Sequence, residues 1–272
     1  VNTLPKHPVI LIQRQTVDWL QLSDAEFQQQ SREFCKLWGK PEDTVWQLFR
    51  LWNQTFAIDY REVRQQLKDI SLENFHSAQG VTFVPYQNYK NLPQQDGYYI
   101  FLDDDDWVDP QVVAHLSAQL TAFASPPALL LWRSANIGSP QQEFVVFVWG
   151  MNGRCMTNNY ATHHAWLKPF SKIHEVLQHK DAEKVFGKGV KIPHLDCALT
   201  VSNKSPISSV SLDRGLSGDL CPARLKALVA NYLERMRKVQ DSELVYMPWS
   251  RPLINETIAV FERVTGKARV NV

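Results

Sequence analysis

Tyr98-Tyr99-Ile100-Phe101-Leu102-Asp103-Asp104-Asp105-Asp106-Trp107-Val108-Asp109-Pro110 is the stretch on which the fold turns. Its first five residues are apolar or aromatic, a strand-length run suited to burial on both faces. Four carboxylates follow directly, and then Trp107. Asp109-Pro110 has the chemistry of a helix start, with Asp at the N-cap and Pro at the first helical position. Val113, Leu116 and Leu120 supply the apolar stripe of that helix. In open α/β sheets, ligands bind beyond the carboxyl ends of strands. Four adjacent carboxylates at such a place repel one another unless a cation neutralises them. Asp103 and Asp105 suit a shared hard divalent cation, since Mg²⁺ typically takes one or two carboxylates plus substrate phosphates. An isolated Asp-x-Asp is common by chance and usually lies in a solvated loop. The buried strand before it and the Pro-started helix after it give this one its weight.

Working outward, residues 9–12 read as a first buried strand and 81–85 as another. Between them, residues 23–74 read as helical. Ser23 and Glu26 form a capping box, Pro41-Glu42-Asp43 opens a second helix, and residues 58–70 suit a third. Trp46 and Trp52 are expected in the core. Residues 128–132 and 143–149 read as a strand pair joined by a turn with Gly138 and Pro140. Further on, 166–189 reads as helix, 190–192 and 198–201 as short strands, 204–219 as loop and 223–240 as helix. Strands alternating with helices, with later antiparallel additions, specify an α/β fold with a mixed sheet. One domain over residues 1–272 is expected: a helical insert at 23–74, a core sheet at 81–150, and an acceptor side with C-terminal helices at 151–272.

Composition narrows the function. The 272 residues carry 29 Lys+Arg against 28 Asp+Glu, a formal net charge of +1. That balance is too neutral for a nucleic-acid binder that depends on phosphate contacts. Hydrophobic residues at 44% exclude disorder. No apolar run approaches the ~18 residues of a transmembrane helix. Four scattered cysteines with no Cys-x-x-Cys pair indicate neither a zinc site nor a disulfide framework. A reducing compartment follows, and with no signal peptide in view the expected location is cytoplasmic, peripheral membrane attachment being compatible with it.

Residues 101–110, Phe-Leu-Asp-Asp-Asp-Asp-Trp-Val-Asp-Pro, resemble the DxD segment of family 2-type glycosyltransferases with a GT-A fold. Asp104 stands where that family usually has Ser. The resemblance implies a GT-A-like, Rossmann-type mixed sheet with Asp103 and Asp105 as the metal pair. Asp105 would be the direct ligand of Mn²⁺ or Mg²⁺, Asp104 would lie in the donor site, and Asp106 would support the site or face the donor sugar. It implies a nucleoside diphosphate sugar as donor and a saccharide or other hydroxyl as acceptor, in bacterial polysaccharide or glycoconjugate synthesis. A carboxylate must then deprotonate the acceptor, for which Glu175, Asp181 and Asp196 are the candidates. His194 is a candidate metal contact, while Lys204 and Ser205, with Ser208 and Ser209, are candidate phosphate contacts. Residues 9–14 lack the family's Pro-Thr-Tyr-Asn strand ending. Trp107 either stacks on a sugar or seats the loop, and His163 or His164 could meet a sugar or simply be structural. Two rivals remain. A haloacid-dehalogenase-like phosphatase would use Asp103 as nucleophile, but Trp107 occupies the place of a small residue there. A Ca²⁺-binding module would need a Gly in its loop, and none stands between Asp103 and Asp109.

Overall fold

The computed structural model describes residues 8–14, 18–37, 41–86, 95–139, 146–149, 155, 158–167, 192–207, 221–239, 241 and 244–266. Eight strands make one mixed sheet among them: β1 (Val9–Arg14), β2 (Val81–Tyr86), β3 (Tyr98–Leu102), β4 (Asp106–Val108), β5 (Leu129–Ile137), β6 (Val146–Trp149), β7 (Tyr160–His163) and β8 (His194–Asn203). Their order is β2-β1-β3-β7-β5-β8-β4, with β6 paired to β5. β1 is parallel to β2 on one side and to β3 on the other. The chain therefore adds β2 outside β1 and crosses back to add β3 beyond it. That reversal is a topological switch point, and its crevice opens outside the carboxyl ends of β1 and β3.

β7 is antiparallel to both β3 and β5, and β8 is parallel to β5. Hence β1, β2, β3, β5 and β8 all end on the same edge. β4 follows β3 after a single turn, yet it pairs with β8 at the other end of the strand order. The sheet curls to bring the ends of β3 and β8 together at that turn. Every residue of β3 is buried, as its unbroken apolar run requires.

Among the described residues, seven α-helices flank the sheet: α1 (Asp24–Leu37), α2 (Thr44–Phe56), α3 (Tyr60–Ser77), α4 (Val112–Leu120), α5 (His164–Leu167), α6 (Pro222–Arg237) and α7 (Arg251–Val264). The capping box of α1 forms as expected. The Ser23 hydroxyl and its backbone N–H donate to Glu26 at 2.6 and 2.9 Å. The α1–α3 segment packs with α6 and α7 in one core that includes Phe27, Trp52, Tyr60, Tyr232 and Phe261. Trp52 is fully buried there, and Trp46 stacks on Phe49 with centroids 5.0 Å apart. The apolar side of α4 closes a second core over Val9, Leu11, Ile100 and Leu102.

Three local differences have physical causes. α4 begins at Val112, because Asp109 caps a preceding turn by accepting from Gln111 N at 2.8 Å. β8 spans ten residues rather than four, since β5 on one side and β4 on the other extend its ladder through polar positions. α7 forms where the sequence pattern is weak, its Leu253, Ile254, Thr257, Val260, Phe261 and Val264 buried by neighbouring helices. Most of the stretches 166–189 and 204–219, read as helix and loop, lies outside the described residues, as does most of the 190–192 strand. Among the described residues, no helix is long and apolar enough to cross a membrane.

Gly138, just past β5, has φ +77°, and a Cβ there would lie 2.3 Å from Tyr232 Cε2. Gly138→Ala is therefore expected to lose about 2–3 kcal/mol of stability, from left-handed strain plus overpacking. Urea denaturation checks this.

Candidate active site

Asp103–Asp106 forms a four-residue turn between β3 and β4, closed by Asp106 N donating to Asp103 O at 3.2 Å. Asp104 and Asp105 occupy its two central positions. The turn thus sits at the carboxyl end of β3, beside the switch-point crevice. Asp103, Asp104 and Asp105 are partly exposed, whereas Asp106 is buried.

Asp106 is tied into a buried polar chain. Its Oδ2 accepts from Asp103 N at 2.9 Å, and its Oδ1 accepts from Ser202 Oγ at 2.7 Å. Ser202 Oγ in turn accepts from Asn158 Nδ2 at 3.1 Å, and Asn158 Oδ1 accepts from Ser134 Oγ at 2.8 Å. The chain links β5, the start of β7, β8 and β4, so four parts of the sheet brace the turn. From the other side, Asn74 of α3 donates to Val108 O at 2.9 Å and accepts from Val108 N at 2.8 Å. Its amide thereby pairs with β4 as a neighbouring strand would. Removing one link leaves a buried partner unmatched. Ser202→Ala is accordingly expected to cost about 1–3 kcal/mol, measured by chemical denaturation.

Burial, with Asp103 and Asp105 beside it, pushes Asp106 well above the usual carboxylate range. Burial also pushes Asp105 up to about 6; Asp104 and Asp103 add to the rise, while Lys204 and Arg64 oppose it. Lys204 follows β8 directly, its backbone N–H donating to Ile137 O at 2.9 Å. Arg64, on α3, is near enough for its charge to act on Asp104 and Asp105. Burial works against its charge, but Tyr60, Asp104 and Asp105 hold its pKa above the ordinary value. At the carboxyl end of β1, in register with Leu102, Gln13 is 2% exposed with its Nε2 unpartnered among the described residues.

The carboxylates of Asp103 and Asp105 are of the kind that suits a hard divalent cation, whereas both oxygens of Asp106 are spent on bracing the turn. No group of three or more His, Cys, Asp or Glu side chains is poised on one ion among the described residues. A cation here would take its remaining ligands from water and substrate oxygens, the habit of Mg²⁺.

The structure keeps Asp103, Asp104, Asp105, Lys204 and Ser205 at this edge. Of the two roles expected for Asp106, its bonds are those of a support. Two expectations need correction. His194 starts β8 and pairs with Leu131, five residues of β5 before the partner of Ser202, so it lies roughly 17 Å back along the sheet. Asp196 lies in the irregular stretch of β8 opposite Trp132 and Arg133, roughly 12 Å back from Ser202, exposed and ion-paired with Arg133. Neither belongs to the acidic turn. Glu175, Asp181, Ser208 and Ser209 lie outside the described residues.

Trp107 is 1% exposed inside the core, so it seats the loop. His163 pairs with Tyr98 at the opposite edge and packs edge-to-face on it, and His164 lies over Tyr99; both are structural. Arg64, Tyr60, Asn74, Asn158 and Ser202 escape sequence reading, because each meets the turn across 34 or more residues of chain. Only the spacing of Tyr60, Arg64 and Leu67 on a helix could have hinted at an inward arginine.

No family model matches this chain, and no curated protein matches it. Solved structures of S. aureus TarS do. Residues 1–349 with UDP share 17% identity over 72% of this chain and 69% of that one, with a TM-score of 0.32. The same TarS residues with UDP-GlcNAc share 12% identity over 97% and 74%, with a TM-score of 0.36. Against the longer TarS chain, 72% of this chain covers 42% of that one at 18% identity and a TM-score of 0.30. The strand order, not these scores, establishes the mixed α/β sheet.

Proposed function

We propose that this chain is a glycosyltransferase, of hexosyltransferase type, that moves a sugar from a nucleoside diphosphate donor to an acceptor hydroxyl in polysaccharide or glycoconjugate synthesis. One observation carries the reading: a braced turn of carboxylates at the carboxyl edge of the sheet, beside the switch point between β1 and β3. Asp103 and Asp105 would hold Mn²⁺ or Mg²⁺, which when bound stabilises the charge of a leaving diphosphate. Asp104 lies within reach of that donor site. Lys204 supplies fixed positive charge at the same edge, and the buried Ser205 sets its segment. Asp106 keeps the turn in shape, so its neighbours need little rearrangement as charge develops. The base that would deprotonate the acceptor is sought at Glu175 or Asp181, because Asp196 is exposed and ion-paired with Arg133.

Thermal melting against uridine, guanosine, adenosine and thymidine diphosphates and their sugars, with and without Mn²⁺, tests the reading. A ligand bound only by the folded state raises the melting temperature. The expected result is a metal-dependent rise with one nucleotide. No rise with any of them, while a phosphomonoester is hydrolysed, would move the assignment to a phosphatase.

A further inference from the structure

We propose that Arg64, on the helical segment between β1 and β2, is a second cationic contact for the donor diphosphate, acting with Lys204 across the acidic turn. The inference rests on the transferase reading. α3 turns Tyr60, Val63, Leu67 and Ile70 toward the core cluster that also holds Trp107, directly after the turn, and Ile207, three residues past Lys204. Arg64 lies one helical turn beyond Tyr60, on the same side, and is half-buried. Its guanidinium donates to the Tyr60 phenol oxygen. The phenol O–H donates to Ile207 O at 3.2 Å. One tyrosine therefore joins the helix that carries Arg64 to the segment that carries Lys204.

An arginine on the inward side of a helix loses solvation, which must be offset by partners. Here the partners are the Tyr60 oxygen and the charges of Asp104 and Asp105. Three turn carboxylates, Asp103 to Asp105, face two fixed cations, so the site is close to neutral before any ligand arrives. With one divalent ion added, the three carboxylates face four positive charges in all, so the site turns net positive and draws a diphosphate, and the planar guanidinium fork of Arg64 matches phosphate oxygens two at a time. The helical segment is thereby part of the donor site rather than an appendage to the fold.

Calorimetric titration of wild type, Arg64→Gln and Tyr60→Phe with magnesium pyrophosphate, the preferred nucleoside diphosphate and the matching free nucleoside tests this. Arg64→Gln is expected to weaken both phosphate ligands about 10- to 100-fold and to leave nucleoside affinity unchanged. Tyr60→Phe, close to isosteric, should weaken them several-fold by freeing the guanidinium. Unchanged phosphate affinity in a variant whose circular dichroism matches wild type would overturn the inference. So would an equal loss for the nucleoside, which marks a structural role. If Arg64→Gln does not fold, Tyr60→Phe decides by the same criteria. Wild type that binds none of the three ligands overturns the transferase reading itself, a result distinct from the failure of Arg64 alone.

Discussion

Asp105→Asn is expected to lower turnover of a nucleoside diphosphate sugar at least about 100-fold, equivalent to about 2.7 kcal/mol of transition-state stabilisation, while making the metal-free protein more stable. The two effects have one cause. Asp105 sits in the turn among Asp103 and Asp104, and its pKa is pushed up to about 6, first by burial. In the unfolded chain it titrates near the ordinary value of about 3.9. Above pH 6 the carboxylate is charged in both states, and folding must place that charge beside two others. Between about pH 6 and pH 4 the folded chain holds a proton that the unfolded chain has released. Stability from this group therefore rises as pH falls through 6 and is lost as pH climbs back. Asn carries no such charge. After allowance for solvent screening, the metal-free variant should gain about 1–2 kcal/mol at pH 7.5. The gain should shrink toward pH 4. Urea melts at the two pH values check the stability half, and initial rates with Mn²⁺ check the other. A group that destabilises the resting fold yet supports turnover is the behaviour expected of a residue kept for its chemistry.

Trp107→Ala is expected to cost about 3–5 kcal/mol, a large share of the stability of one domain. Trp107 is 1% exposed and belongs to the cluster that joins α1–α3 to α6 and α7. Its backbone lies in β4, paired with Val201 of β8. The side chain therefore anchors the segment directly after the acidic turn in the largest core of the molecule. Truncation leaves a cavity that the flanking strands cannot close, because the Asn74 amide and the Ser202–Asp106 bond hold β4 in place. Thermal and chemical denaturation measure the loss. Any residual folded protein should also bind nucleotide less well, since the turn loses its seat. Retention of full stability would show that Trp107 is not the anchor its burial indicates.

Legibility in the sequence followed the range of the interactions. β3 and the turn after it were readable because a local apolar run and a local acidic run meet at Leu102 and Asp103. The capping box at Ser23 and Glu26 was readable for the same reason. The supports of the turn were not. Ser202 meets Asp106 across 96 residues, Asn158 meets Ser202 across 44, and Asn74 meets Val108 across 34. Serine and asparagine carry no local signal of such pairing. His194 and Asp196 show a related limit. They lie on the strand that reaches the site, but only the strand directions show that their end of it points away. The helical segment at 23–74 was legible as helix, yet its place against the site emerged only through the contacts of α3 with β4 and Ile207.

The most direct measurement is calorimetric titration of nucleoside diphosphates into the wild-type chain and into Asp105→Ala at pH 7.5, with and without Mn²⁺. The expected result is saturable binding of one nucleotide, strengthened at least about tenfold by the cation and lost in the variant. Nucleotide binding that neither Mn²⁺ nor Asp105→Ala alters, or its absence in protein shown to be folded, would contradict the assignment of the acidic turn as the donor site.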